Sequence, residues 1–131
     1  MLECLLLGDS IAVGTHQFRK DCVAVAKGGI NSWQFNKANN GEFYSGNVVI
    51  SLGSNDHKGV NTRKELENLR NRVVAKNKVY WILPAIKPEI QDIVKDIASK
   101  NGDIVLPIKN LQPDGIHPSW AGYKQIGEQF K

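Results

Sequence analysis

The chain has 131 residues with 41% hydrophobic and 23% charged residues, and its formal net charge is +4. This length fits one domain, residues 1–131, and is long enough to bury a sizeable core without stabilisation by disulfides or metals. The basic residues are scattered among acidic ones, which is typical of a solvated surface and does not favour nucleic-acid binding. No apolar stretch approaches the roughly 18 residues of a membrane span. We therefore expect a soluble globular domain.

The opening segment, MLECLLLGDS, has no basic region, and its apolar run ends after Leu7. It predicts a buried strand and not a signal peptide. Cys4 and Cys22 both lie in apolar runs, so we interpret them as small buried residues. One pair of cysteines does not determine a disulfide. The sequence leaves the compartment and the oligomeric state open.

Short apolar runs alternate with helix-like segments along the chain, which predicts a parallel sheet covered on both faces. In chain order the predicted elements are strand 2–7, helix 11–19, strand 22–26, helix 31–38, strand 47–52, helix 62–76, strand 78–83, helix 88–100, strand 103–106 and helix 118–130. Prolines at 88 and 118 mark helix starts, and Asn101-Gly102 marks a helix end. The predicted fold is α/β: a three-layer α/β/α sandwich with a five-stranded parallel sheet in the flavodoxin-like order 2-1-3-4-5.

A polar cluster follows every predicted strand in the sequence. These clusters occupy residues 8–10, 28–31, 53–56, 84–88 and 113–117. In open α/β sheets, ligands bind beyond the carboxyl ends of the strands, near the switch point of the strand order. All five clusters fall on this edge, so we expect the functional site there.

The residue types at this edge suit nucleophilic catalysis by a hydroxyl group. Such a nucleophile needs a base, a partner that orients the base, and donors for the oxyanion. Ser10 follows the first strand, His117 is the natural base, and Asp114 lies three residues earlier, within reach of the imidazole. The Asn55 amide and the unobstructed backbone N–H of Gly29 are candidate donors.

Four segments carry a family resemblance, in the family's order and over residues 8 to 118: Gly8-Asp9-Ser10-Ile11, Gly29, Gly53-Ser54-Asn55-Asp56 and Asp114-Gly115-Ile116-His117-Pro118. They resemble the sequence blocks of the SGNH (GDSL-like) hydrolase superfamily. The resemblance implies a serine esterase with Ser10, Asp114 and His117 as catalytic triad. It assigns the oxyanion hole to the backbone of Ser10 and Gly29 and the side chain of Asn55. It implies no cofactor and no metal.

The second block, Lys27-Gly28-Gly29-Ile30-Asn31, lacks the fuller family pattern, which leaves the choice between Gly28 and Gly29 open. The superfamily includes acetyl esterases acting on carbohydrates, lysophospholipases, thioesterases and arylesterases. The chain is short for this family, and its predicted loops are short and largely polar, so an open groove is expected. We therefore expect short-chain acyl or acetyl esters, with an acetylated carbohydrate as the favoured substrate and no nucleic-acid partner.

Two alternatives remain open from the sequence. Asp9, Asp56 and Asp114 all follow strands and could form an oxygen-ligand cluster for a hard cation in a metal-dependent phosphoesterase. The domain could instead be a non-catalytic carbohydrate-binding module on the same fold. A flavodoxin-type cofactor module is disfavoured because both glycine-rich phosphate-binding motifs are absent.

Several other residues receive structural interpretations. Under the esterase interpretation, Asp9 and Asp56 tie loops through backbone amides, and His57 is an exposed loop residue. His16 is expected at the surface without a partner. The three tryptophans are expected in the core, although the first of them could flank the pocket because it opens the helix after Gly29. They are Trp33, Trp81 and Trp120.

Overall fold

The computed structural model describes residues 3–130. Five strands alternate with five helices, and their bounds in chain order are β1 Cys4–Gly8, α1 Ser10–His16, β2 Val23–Ala26, α2 Ser32–Ala38, β3 Phe43–Ser51, α3 Thr62–Asn71, β4 Val73–Ile82, α4 Pro88–Asn101, β5 Ile104–Leu106 and α5 Trp120–Gln129. Residues 3–130 include no helix that is both long and apolar enough to cross a membrane.

The strands form one parallel sheet in the order β2-β1-β3-β4-β5. The predicted fold class and strand order are therefore confirmed. One face carries a core to which α2, α3 and α4 contribute Phe35, Leu66 and Val94, among others. The opposite face carries a second core, in which Ile11 of α1 and Ile126 of α5 pack on the sheet. The result is the expected three-layer sandwich.

The main error in the predicted bounds concerns α3, β3 and β4. The predicted helix 62–76 ends at Asn71, and β4 begins at Val73 instead of residue 78. β3 begins at Phe43, four residues earlier than predicted, and pairs with Val73. Sequence periodicity missed this extension because the polar run 76–78 interrupts the apolar pattern of β4. Pairing between strands, together with β-branched residues at 73 and 74, outweighs the local helical pattern. Residue 2 of the first predicted strand lies outside the described residues.

The expectation that all three tryptophans lie in the core is wrong for two of them. Trp81 is fully buried, but Trp33 is 49% exposed and Trp120 is 77% exposed. Both exposed residues lie in the first turn of a helix and contact side chains at the surface. The Trp120 ring meets Phe18 edge-on with 4.7 Å between centroids, and the Lys37 ammonium lies 4.8 Å from the Trp33 ring centre. His16, expected without a partner, contacts the Cys22 carbonyl through its Nε2 atom at 2.9 Å.

Cys4 and Cys22 are buried as predicted, and the structure joins them in a disulfide. The bond links the first residue of β1 to the residue before β2, within the core beneath α1 and α5. The predicted order already makes β1 and β2 neighbours, but the sequence could not show the pairing, because it depends on the 4.6 Å separation of the two Cα atoms. The disulfide therefore links the start of the edge strand β2 covalently to the neighbouring strand β1.

We expect reduction of the disulfide to destabilise the fold. The two cysteines are 18 residues apart, and a cross-link of that span stabilises by about 3 kcal/mol, mainly by restricting the unfolded chain. Urea unfolding with and without reductant measures this difference. The double variant Cys4→Ala/Cys22→Ala serves as control, because reductant must not change its stability. An unfolding midpoint of the wild type that is independent of reductant would contradict the prediction.

Candidate active site

The backbone at the end of β1 approaches β3 very closely. Gly8 has a φ of +143°, and a Cβ at this position would lie 1.9 Å from the Ser51 carbonyl oxygen, so only glycine fits. The Asp9 N–H then donates to the same carbonyl at 3.0 Å. Ser10 follows as the first residue of α1. This contact places the Ser10 hydroxyl at the carboxyl edge of the sheet.

Asp9 caps α1 from a fully buried position. Its Oδ1 atom accepts hydrogen bonds from the Ile11 N–H and the Ser51 hydroxyl, both at 3.0 Å. No residue among 3–130 bonds to its Oδ2 atom. Burial raises the pKa of Asp9 from 3.8 to about 6, although the hydrogen bonds oppose this effect. Asp9 therefore has the structural role that the sequence predicted.

The structure brings Ser10, His117 and Asp114 into one hydrogen-bonded line. The distance from Ser10 Oγ to His117 Nε2 is 2.9 Å, and that from His117 Nδ1 to Asp114 Oδ2 is 2.7 Å. An ionised carboxylate only accepts hydrogen bonds, so Nδ1 carries the proton and Nε2 is free to accept from the serine hydroxyl. This is the arrangement of a nucleophile, a base and an orienting acid.

The turn of residues 114–117 holds the side chains of Asp114 and His117 together. The Asp114 Oδ1 atom accepts from the backbone N–H groups of Ile116 and His117, at 2.9 and 3.0 Å. Gly115 closes the turn with a φ of +70°. The Ile116 N–H, followed by the His117 ring and the His117 N–H, lowers the pKa of Asp114 to about 2. Asp114 thus stays ionised at neutral pH and can stabilise a protonated imidazole.

The turn after β2 lies between Ser10 and Asn55. A Cβ added to Gly28 would lie 3.9 Å from the Ser10 Cβ, and Gly29 has a φ of +79°. The Asn55 side-chain amide donates to the Ile30 carbonyl at 3.0 Å, and its second hydrogen remains available. Within residues 3–130, the backbone N–H groups of Ser10, Gly28 and Gly29 have no acceptor. The residues predicted to supply oxyanion donors, Ser10, Gly29 and Asn55, therefore lie in or beside the turn of residues 27–31.

Asp56 ties the starts of two helices to the end of β3. Its carboxylate accepts from the backbone N–H and hydroxyl of Ser32 at 2.8 and 2.5 Å, and from the Thr62 hydroxyl at 2.7 Å. This is the structural role predicted for Asp56. Ser32 and Thr62 were not predicted as partners of Asp56, although each directly follows an asparagine N-cap, Asn31 or Asn61.

The positions of Asp9, Asp56 and Asp114 do not fit the alternative metal site. Among residues 3–130, no three histidine, cysteine, aspartate or glutamate side chains converge on a common point. Asp9 and Asp56 are buried, and hydrogen bonds from the protein occupy both carboxylate oxygens of Asp56 and the Oδ1 atom of Asp9. Three carboxylates in these positions cannot act together on a cation. His57 is exposed as predicted, and its Nδ1 atom accepts from the Gly59 N–H at 3.2 Å.

The sequence matches no family model and no curated protein. The functional interpretation therefore depends on the four sequence blocks and on the geometry of the residues that they contain.

The buried Asp9 makes a specific contribution to the pH dependence of stability. Because its pKa is raised to about 6 in the folded protein, the folded state retains a proton that the unfolded chain releases from about pH 4 upward. The free energy of unfolding of the wild type, relative to Asp9→Asn, should therefore fall by up to about 3 kcal/mol between pH 4 and pH 7. Urea unfolding of both proteins across this range measures the difference.

The control for this experiment is Asp92→Asn, which removes an exposed carboxylate on α4. Its stability should follow that of the wild type at every pH. A wild-type minus Asp9→Asn difference that stays constant, or rises with pH, would show that Asp9 ionises normally in the folded protein.

Proposed function

We propose that this protein is a serine ester hydrolase of the SGNH superfamily, which cleaves short-chain carboxylic esters through an acyl-serine intermediate. The observation that carries the proposal is the contact of Ser10 Oγ with His117 Nε2 at 2.9 Å, in line with the 2.7 Å contact of His117 Nδ1 with Asp114. The backbone N–H groups of Ser10, Gly28 and Gly29, which have no acceptor within residues 3–130, support the proposal further.

The first half-reaction acylates Ser10. His117 Nε2 removes the hydroxyl proton as Ser10 Oγ attacks the ester carbonyl carbon, and Asp114 stabilises the imidazolium that forms. The carbonyl oxygen becomes an oxyanion, which accepts hydrogen bonds from the Ser10 N–H, the Gly29 N–H and the Asn55 amide. When the tetrahedral intermediate collapses, the bond to the alcohol oxygen breaks. His117 gives its proton to that oxygen, and the alcohol leaves.

The second half-reaction hydrolyses the acyl-enzyme. Water enters the position of the alcohol, and His117 removes one of its protons as the oxygen attacks the acyl carbon. The same donors stabilise the second oxyanion. Collapse of this intermediate breaks the bond to Ser10 Oγ, which takes a proton back from His117. The carboxylic acid is released, and the enzyme returns to its starting state.

The openness of the site supports a short acyl group. The side chains of His117 and Asp114 are 35% and 42% exposed. Three of the segments that follow the strands are short, namely residue 9 and residues 27–31 and 83–87, whereas residues 52–61 and 107–119 form longer segments. The longest segment, residues 107–119, contains the proposed acid Asp114 and the proposed base His117. Long acyl chains need walls built from loops or a lid, whereas an open site admits a bulky alcohol such as a sugar.

Replacement of the proposed nucleophile, Ser10→Ala, should lower kcat by about 10³-fold or more. It should also abolish labelling by a serine-reactive phosphonate, because the attacking oxygen is lost. The melting temperature should change little, since the hydroxyl is only half-buried. Hydrolysis of p-nitrophenyl acetate and mass spectrometry of the labelled protein measure both effects.

The matched control for the nucleophile is Ser99→Ala, an exposed serine on α4, which should keep full activity and labelling. Wild-type turnover by Ser10→Ala would refute the nucleophile. A wild-type protein that phosphonate does not label would favour a non-catalytic module.

For esters with one leaving group, kcat/KM should be highest for acetyl and butyryl groups and should fall from octanoyl onward. Each buried methylene adds up to about 0.8 kcal/mol of binding, but an open polar groove buries few of them. A p-nitrophenyl ester series below micelle-forming concentrations measures this trend. A steady rise toward palmitoyl esters would contradict it and indicate a lipid substrate.

A further inference from the structure

Lys87, the residue before α4, has an unusual backbone conformation. Its φ and ψ are +64° and +84°, and it is the single non-glycine residue with positive φ within residues 3–130. A lysine in this region is strained, and a residue before proline normally adopts an extended conformation. Such strain persists where surrounding contacts impose it, and it clusters at functional sites. The contacts of Lys87 are therefore informative.

The ammonium of Lys87 bonds to both sides of Asn55. It donates to the Ser54 carbonyl at 3.1 Å and to the Asp56 carbonyl at 2.6 Å. These two carbonyls belong to residues 54 and 56 of the turn after β3, and Lys87 itself is half-buried. Hydrogen bonds from a charged donor are stronger than those from a neutral one. Lys87 therefore fixes the backbone on either side of Asn55.

The same turn packs closely on the start of α4. The Asp56 N–H donates to the Gly53 carbonyl at 3.0 Å, which closes the turn. A Cβ added to Gly53 would lie 2.7 Å from Ile90 Cγ2, so the two segments are in direct contact. The lysine side chain thus spans an existing interface between the β3–α3 turn and α4.

Contacts with α2, with α3 and with the turn after β2 also restrain Asn55, on the side of its turn away from Lys87. The Asp56 carboxylate is anchored to α2 and α3 through Ser32 and Thr62. The Asn55 amide itself bonds to the Ile30 carbonyl. Lys87 contributes the restraint from the β4 side of the sheet. Together these contacts determine the direction in which the Asn55 side chain leaves the backbone.

We propose that Lys87 is a positioning residue for ester hydrolysis, which holds the Asn55 amide in place through the carbonyls of Ser54 and Asp56. This inference rests on the proposed function. An oxyanion donor acts only if it is aligned before charge develops, and a small displacement of a positioned group lowers the rate strongly. Loss of the Lys87 ammonium should therefore reduce kcat and leave substrate binding largely unchanged.

Two variants remove the ammonium in different ways. Lys87→Met keeps an unbranched side chain of similar length, whereas Lys87→Gly also suits the positive φ and so protects the fold if the first variant is unstable. Lys58→Met is the matched control, because it removes an exposed positive charge from the β3–α3 turn, which also contains Asn55. We expect kcat to fall about tenfold in both Lys87 variants, with KM within about twofold of wild type. The control should keep its kcat.

A double-mutant cycle tests whether Lys87 acts through Asn55. Asn55→Ala alone should lower kcat by about 10²–10³-fold, as for the loss of one oxyanion donor. Adding Lys87→Met to Asn55→Ala should then lower kcat by less than about twofold, because the residue that it positions is gone. A full tenfold loss in both backgrounds would overturn the proposal and leave Lys87 as a general structural residue.

Amide hydrogen exchange tests the positioning independently of activity. Lys87→Met should speed exchange in residues 53–57 by about tenfold relative to Lys58→Met, while exchange in the strands stays unchanged. Unchanged exchange in residues 53–57 would overturn the role of Lys87 whatever the activity. A wild type without Ser10-dependent hydrolysis would instead contradict the proposed function, so the two failures are distinguishable.

Discussion

The close contact between Gly8 and Ser51 is the constraint on which the site depends. In the parallel register of β1 and β3 these two residues are partners, and the space between them admits no side chain at position 8. The contact brings Asp9 within reach of both the carbonyl and the hydroxyl of Ser51. Asp9 then caps α1, so the direction of the first helical turn, and with it the Ser10 hydroxyl, follows from strand pairing.

The rest of the site is assembled by polar contacts between loops that are distant in sequence. Ser10 and His117 are 107 positions apart, yet their side chains are hydrogen-bonded. The turn carrying Asn55 is linked to α2 and α3 through the Asp56 carboxylate and to the start of α4 through Lys87. Each link uses a buried or half-buried polar group whose partner comes from another loop or from the first turn of a helix. Because an unpaired buried polar group is costly, these pairings favour one arrangement of the loops over others.

The sequence predicted the fold class and strand order, because alternating apolar runs and helix signals are local features. It also anticipated the proximity of Ser10 and His117, since the ends of parallel strands meet at one edge. It could not predict that Val73 begins a strand, because that strand depends on pairing with β3. The exposure of Trp120 depends on the angle at which α5 packs. Lys87 lies in the predicted polar cluster 84–88, but its role carries no sequence signal, because that role depends on a strained backbone and on two carbonyl groups of another loop.

The distribution of the tryptophans gives the protein a set of internal optical probes. Trp81 is fully buried in the sheet, with its indole N–H bonded to Asp103 at 2.9 Å. Its emission reports on the packing of the core. Trp33 and Trp120 are exposed and lie a few residues after the Gly28–Gly29 turn and after His117. A soluble quencher should reach these two indoles more readily than the third, so quenching should distinguish changes at the starts of α2 and α5 from global unfolding without any added dye.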